Sequence, residues 1–548
     1  MYTQNLDPTG SLTTSALLAA LPLITLLVLL GGLRWKAHWA GLAALLVAIA
    51  VALATYGMPV GQAVDAGLYG AALSVLLILW ITFNAIWIYN LTVKTGHFAV
   101  LRRAFAAISD DRRIQVIVIA FSFGALLEAL AGGGSPVAIC AVMLIALGVK
   151  PLKAAALALV ADTAPVAFGG LGNPITVLGT TTKLSADDFG AMAGRQVAIL
   201  AVFIPFILIG ISDGWRALRE VWPAALTAGL SFGLTQFALS NYFSYRLCDI
   251  FAALVSAGAI IALNRVWKPG QPGIEGERVP AVAGGAVDDP AFVRRVGTDD
   301  GDSRADVVKA FAPYAIIIAL FSLAQVDAIK KLLAKGTYEF RWPGLHIVSA
   351  KGTPVKTSYV LNYLGATGTL LFLAGLLTLV VLRIDLREGL RTYGETIRQF
   401  GWAIFTILCV FALSYVMNLS GQITTLGLWL SKTGDFFAFL APVVGWFGVT
   451  ITGTDAGSNA LFGNLQVTAA QQLGASPILF GAANSSGGVL GKMISPQNLA
   501  IGTAATGLVG QEGTLFRRVF GWSILLVLLM CVLVYLQSTP VLGWMVVG

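Results

Sequence analysis

Apolar residues collect in long runs near 14–33, 38–57, 67–91, 195–212, 221–240, 246–264, 310–328, 361–382, 398–419 and 518–537. Each run is long enough to cross a hydrocarbon core of about 30 Å as a helix, so each is expected to be a membrane span. Two further stretches, 114–180 and 436–510, are apolar but repeatedly interrupted by Gly, Pro and polar residues, and are not expected to be clean spans. Residues 265–309 hold Pro269, Pro272, Pro280, Pro290 and several glycines, with an acidic patch at Asp299, Asp300 and Asp302. That segment is too poor in apolar residues to bury a core and reads as a flexible inner linker. It divides the chain into an N-terminal transmembrane half, 1–264, and a C-terminal half, 310–548. The first run follows Asp7 with no basic residue before it and leads into a second span. It is therefore expected to be retained rather than cleaved as a signal peptide, with the mature chain starting near Met1.

Composition agrees with lipid as the solvent. Of 548 residues 57% are hydrophobic and 11% charged, against roughly 25% charged in soluble domains. The net charge of +8 sits in short loops and reads as topology, not as a nucleic-acid surface. Cys140, Cys248, Cys409 and Cys531 all lie in apolar runs without a CxxC, and His38, His97 and His346 have no metal-type neighbour. No disulfide framework, metal site or cofactor motif is supported, and no GxSxG, P-loop or HExxH suggests an enzyme.

Lys and Arg alternate between loops. The N-terminal segment 1–13 has none, the next loop has Arg34 and Lys36, 58–66 has none, and 92–113 has Lys94, Arg102, Arg103, Arg112 and Arg113. This places the N-terminus outside and the loop 92–113 inside, with Arg383, Arg387, Arg391 and Arg398 also inside. The loop 329–360 disagrees, since it must lie outside yet carries Lys330, Lys331, Lys335, Arg341, Lys351 and Lys356.

The two interrupted stretches read as copies of one another. EALAGGGSP from Glu128 and ADTAPVAFGG from Ala161 find partners in TGTDAGSNALFG from Thr452 and ANSSGGVLGKMISPQN from Ala483. An offset of 322 aligns Asp162 with Asn484, Thr163 with Ser485, Gly169 with Gly491 and Pro174 with Pro496. The first copy is entered from an inner loop and the second from an outer one. Paired Gly/Pro-broken segments in inverted halves point to a secondary transporter with a midplane site. The fold class expected is therefore all-α: a polytopic transmembrane helical transporter with two inverted-topology halves containing broken or re-entrant helices. Close packing through small residues is the competing use of the same glycines.

Unwound helix ends present N–H groups to an anion, and a buried acid is a default functional candidate because it costs about 2.5–3.5 kcal/mol at a helix centre. Glu128, Asp162 and Asp455 are the acids in the broken segments and are candidates for proton coupling; each has the alternative of capping a broken helix end. Lys492 is the base well inside either segment, suited to a substrate carboxylate, to pairing with Asp455 or Glu128, or to snorkelling. Ser135, Thr163, Asn459, Asn484, Ser485, Ser486 and Asn498 supply neutral donors for carboxylate and hydroxyl oxygens, or bonds back to their own helices.

At TAPVAFG from Thr163, TGTDAGSNALFG from Thr452 and GKMISPQN from Gly491, supported by NLDPTG at Asn5, VKTGHF at Val93 and GLVGQE at Gly507, the chain resembles the lactate permease family of bacterial lactate and glycolate symporters. The resemblance implies proton-coupled uptake of short 2-hydroxy monocarboxylates at the inner membrane, a small carboxylate as ligand and no cofactor. Glu128 falls where that family has the acid of an EGxxGFGxP pattern. The chain departs from the family at Ala129, Gly133 and Asp162, where members have Gly, an aromatic and Asn. A sodium-coupled carboxylate or organic-anion carrier is the alternative these departures leave open, and so is a homo-oligomeric state.

Overall fold

A computed structural model describes residues 1–33, 35–130, 132, 134–269, 303–399 and 401–547. Arg34, Gly133 and most of the 265–309 linker therefore lie outside the described residues. The chain is helical throughout its apolar runs. Eight helices are long and apolar enough to cross a membrane, and the bent pair Pro151–Ala161 and Val166–Thr182, turned by 62°, makes a ninth. The run 67–91 sits in one helical column, Val60–Ser74 and Trp80–Lys94 joined by a π-turn at Val75–Leu79. The run 361–382 becomes helix only from Thr367, because Ser358–Asn362 pairs antiparallel with Thr337–Arg341. Its SYVLN sequence is β-branched and aromatic, which suits a strand better than a helix start.

The interrupted stretches hold four helical pieces each, and two pieces are cleaner than the sequence suggested. Arg112–Leu130 and Gly434–Thr452 both have crossing length and apolarity. Gly124, Pro442, Gly445 and Gly448 lie inside these helices without ending them.

Hydrogen bonds and ion pairs sort the loops into two faces. On one face Tyr2 and Thr3 pair in parallel with Ile347 and Val348. There Thr425 Oγ1 donates to the Leu6 carbonyl at 2.9 Å, and Lys183 Nζ donates to the Lys356 carbonyl. The strongly basic 329–360 loop thus stands on the N-terminal face despite its charge; as a 32-residue folded hairpin it is held by strand pairing to the N-terminus. On the other face Lys94 Nζ lies 3.3 Å from Glu388 and 2.6 Å from Glu395, Arg112 Nη2 donates to the Gly148 carbonyl, and Asn264 Nδ2 to that of Ile108.

These contacts fix the direction of the broken elements. Arg112–Leu130 rises from the second face and Ser135–Ala146 returns to it, so the two form a re-entrant hairpin. Phe437–Thr452 and Asp455–Gln472 form another. Asn459 Nδ2 donates to the Pro174 carbonyl at 3.1 Å and Asn464 Nδ2 to that of Thr181 at 3.0 Å, so Asp455–Gln472 runs beside Pro174–Thr182 toward the N-terminal face. The two hairpins therefore open to opposite faces and their tips meet inside. Two broken segments lie beside them: Pro151–Ala161 with Gly169–Thr182, which together have crossing length, and Pro477–Gly491 with Pro496–Ala505, broken at Lys492–Ile494.

Cysteines introduced at Asp7 and Lys351 are expected to react with an impermeant maleimide from one side of sealed vesicles, and cysteines at Asp110 and Asp385 from the other. All four native cysteines are buried and give little background. Labelling of Lys351→Cys together with Asp385→Cys from one side would overturn the assignment of faces.

Candidate functional site

Each broken span ends its first helix with a charged residue. Asp162 caps Pro151–Ala161 and Lys492 caps Pro477–Gly491. Both breaks place a charge at a helix end, but the 322 offset does not superimpose them: the helix before the second is 15 residues long and the one before the first 11. Ser485 consequently lies within a helix and does not share the position of Thr163 at a break.

Lys492 Nζ donates to Glu128 Oε1 at 2.7 Å and stands 2.9 Å from Asp162 Oδ2. All three side chains are within 5% of full burial. Glu128 comes from the end of Gly124–Leu130, the rising arm of the first hairpin. It reaches Lys492 past Gly169, where a methyl group would stand 2.6 Å from Glu128 Oε1. The pairing of Lys492 with Glu128 was among the readings open from sequence; its second partner, Asp162, was not. Glu128 Oε2 and Asp162 Oδ1 have no hydrogen bond among the described residues.

Asp455 belongs to the second hairpin. Thr454 precedes it as N-cap, its Oγ1 accepting from the Gly457 N–H at 3.1 Å. One Asp455 oxygen accepts from Ser485 Oγ, and Oδ1 has no partner among the described residues. Between Gly169 and the helix that follows Pro174, the backbone makes a left-handed turn through Gly170, Leu171 and Gly172, with φ of 52°, 57° and 71°. Glycine takes such angles freely, whereas Leu171 adopts them at a cost of about 1–2 kcal/mol and is fully buried.

A cavity of about 430 Å³ joins these parts. Its polar end is made by Glu128, Asp455, Lys492, Asn173, Thr454 and Gln497, with the backbone of Gly169 and Gly170. Its apolar wall includes Ile78, Phe83, Ile86, Ile407 and Phe411. It extends to Ala37 and Trp402, which begin helices on the face that carries Lys94.

Of the residues singled out by sequence, Glu128, Asp455 and Lys492 line this cavity, and Asp162 stands behind Lys492. The neutral set is placed around it rather than in it. Thr163 Oγ1 donates to the Val160 carbonyl of its own helix at 2.7 Å, and Ser486 Oγ to Gln196 Oε1 at 2.6 Å. Asn459 and Asn484 bond each other at 2.9 Å, tying the second hairpin to the second broken span. Asn498 Nδ2 donates to the Gly453 carbonyl at 3.2 Å and its Oδ1 packs against Gly134, so it touches both hairpin tips. The Ser135 side chain lies outside the described residues. Asn173, Thr454 and Gln497 were missed, although Thr454 has the N-cap signature and Gln497 sits in the SPQN motif. Phe83 and Ile86 carry no local signal, since every apolar span contains such residues.

Comparisons with known proteins give the family. A family model described as L-lactate permease matches residues 15–541. The chain is 40% identical to the glycolate permease GlcA of Escherichia coli strain K12, covering 100% of this chain and 99% of that one. It is equally 40% identical to the L-lactate permease of Bacillus subtilis strain 168, over the whole of both. Among solved structures the Alcanivorax borkumensis YdaH transporter aligns with 99% of this chain and 100% of that one, at 15% identity and a TM-score of 0.41. The family model and the two full-length relatives at 40% identity place the protein in the L-lactate permease family of membrane transporters.

Proposed function

We propose that this chain imports short 2-hydroxy monocarboxylates, such as lactate and glycolate, by proton symport across the bacterial inner membrane, its two halves acting as inverted repeats about the midplane site. The observation that carries the reading is the single buried lysine held between two acids at the end of the cavity. With both acids ionised the cluster bears one negative charge, and Lys492 has no attraction left for an anion. A proton on Glu128 neutralises that excess and loosens the 2.7 Å bond, so the ammonium turns to a substrate carboxylate in the cavity. Asp162 holds the lysine in place meanwhile. Asn173, Thr454 and Gln497 meet the 2-hydroxyl and the second carboxylate oxygen. When substrate leaves toward the inner face, where the cavity opens near Trp402, Glu128 releases its proton and pairs with Lys492 again. Proton and substrate thus travel together because each weakens the same ion pair.

Asp455 favours a second reading. Its Oδ1, at the cavity wall near the Thr454 cap and without a hydrogen bond among the described residues, offers one oxygen to a sodium ion. Uptake of labelled lactate and glycolate into proteoliposomes, under a proton or a sodium gradient separately, decides between the two. Accumulation with sodium alone would replace the proton reading.

Glu128→Gln is expected to abolish uphill accumulation while preserving counterflow exchange, since the amide keeps the shape and loses the titrating proton. Undiminished accumulation would reduce Glu128 to a structural role. Lys492→Met leaves two uncompensated buried acids and is expected to lower stability by about 3–5 kcal/mol. Adding Glu128→Gln and Asp162→Asn to it should recover most of that loss in thermal unfolding of the purified protein, whereas an additive further loss would show that the cluster does not act as a unit.

A further inference from the structure

The break in the first span leaves the Ala164 carbonyl without a helical partner. Pro165 has no N–H, and the Phe168 N–H that would reach back to Ala164 bonds the Pro165 carbonyl instead, at 3.1 Å. In a dry interior such a group needs a donor from elsewhere. Gln236, fully buried on the helix Gly214–Tyr242, provides it: Nε2 donates to the Ala164 carbonyl at 3.1 Å. The same amide nitrogen donates to Asp249 Oδ1 at 2.8 Å, near the start of Cys248–Val266. Asp249 is 1% exposed and, apart from a weak contact from Cys248 Sγ at 3.6 Å, its described hydrogen bond is to Gln236.

We propose that Gln236 and Asp249 are a positioning pair for the transport site, holding the peptide two residues beyond Asp162 so that this acid meets Lys492. Neither residue is in the cavity lining and none of their described hydrogen bonds is to the ion cluster, so the pair acts through the backbone of the break. Its hydrogen bonding also sets the form of Asp249. Asp249 Oδ2 and Gln236 Oε1 are both buried acceptors without a partner among the described residues. With a carboxylic proton on Oδ2 the pair is a neutral acid bonded to an amide, with no ion left bare in the interior.

The inference rests on the proton-symport reading only in its transport readout. Gln236→Met and Asp249→Leu remove the bonds that hold the break. Both are expected to lose proton-driven accumulation of lactate in proteoliposomes while keeping counterflow exchange, after normalisation to inserted protein. Asp249→Asn, a neutral isostere of that acid, is expected to behave as the unaltered chain. Hydrogen exchange on the solubilised protein gives a readout independent of any coupling ion: amides in 161–168 should exchange faster in Gln236→Met, with those in 477–491 unchanged. Should Asp249→Leu fail to insert, Gln236→Met and Asp249→Asn suffice. Unchanged exchange at 161–168, equal loss of both transport modes, or loss of accumulation in Asp249→Asn would each overturn the positioning role. Failure of the unaltered chain to accumulate lactate under a proton gradient would instead overturn the symport reading and leave the hydrogen-exchange result standing.

Discussion

One lysine and two carboxylates, buried together at the cavity, constrain the rest of the molecule. Removing a charge from water costs several kcal/mol after relaxation, and the loss is offset only by close, well-aligned partners. Lys492, Glu128 and Asp162 come from the second broken span, the first hairpin and the first broken span, so each of these must end at one point in space. The breaks that carry Asp162 and Lys492 occur where helices stop, and Gly169 offers no side chain where the Glu128 carboxylate passes.

Stopping helices inside a membrane protein creates a second demand, since every freed backbone group must find a partner. The chain meets it with side-chain caps and long-range amides. Thr454 and Ser495 cap the helices that begin at the breaks, Asn498 bonds the tip carbonyl of Gly453, and Asn459 bonds the Pro174 carbonyl at the start of the outer half of the first broken span. Of these, Asn459 and Asn498 are residues that the sequence marks as ligand candidates, whereas Thr454 and Ser495 are not. The bonds of Asn459 and Asn498 engage them with backbone at the breaks, and the cavity keeps a polar lining of Glu128, Lys492, Asp455 and a few uncharged groups.

The same arrangement relates the site to movement. The hairpin tips meet at Asn498 while their arms open to opposite faces, and the cavity's described lining extends toward the face of Lys94. On the opposite face stand the N-terminal strand, the 337–362 hairpin and the contact of Lys183 with the Lys356 carbonyl.

The amino-acid sequence by itself determined that this chain lives in lipid, roughly where its helices cross, that two stretches are broken, and that Glu128, Asp162, Asp455 and Lys492 are the charges to watch. Those are consequences of local chemistry: apolar run length, helix-breaking residues, and the cost of a charge in hydrocarbon. It also carried the family, through motifs that span nearly the whole chain. Only the tertiary structure decided that Asp162 shares Lys492 with Glu128, that Asp455 is held by Ser485, and that Thr163, Ser486 and Asn459 bond within the protein around the cavity. Glu128 and Lys492 are 364 residues apart. No periodicity or spacing encodes such a meeting, because it depends on how far each helix runs before it breaks and on which carbonyls the breaks leave for others to bond.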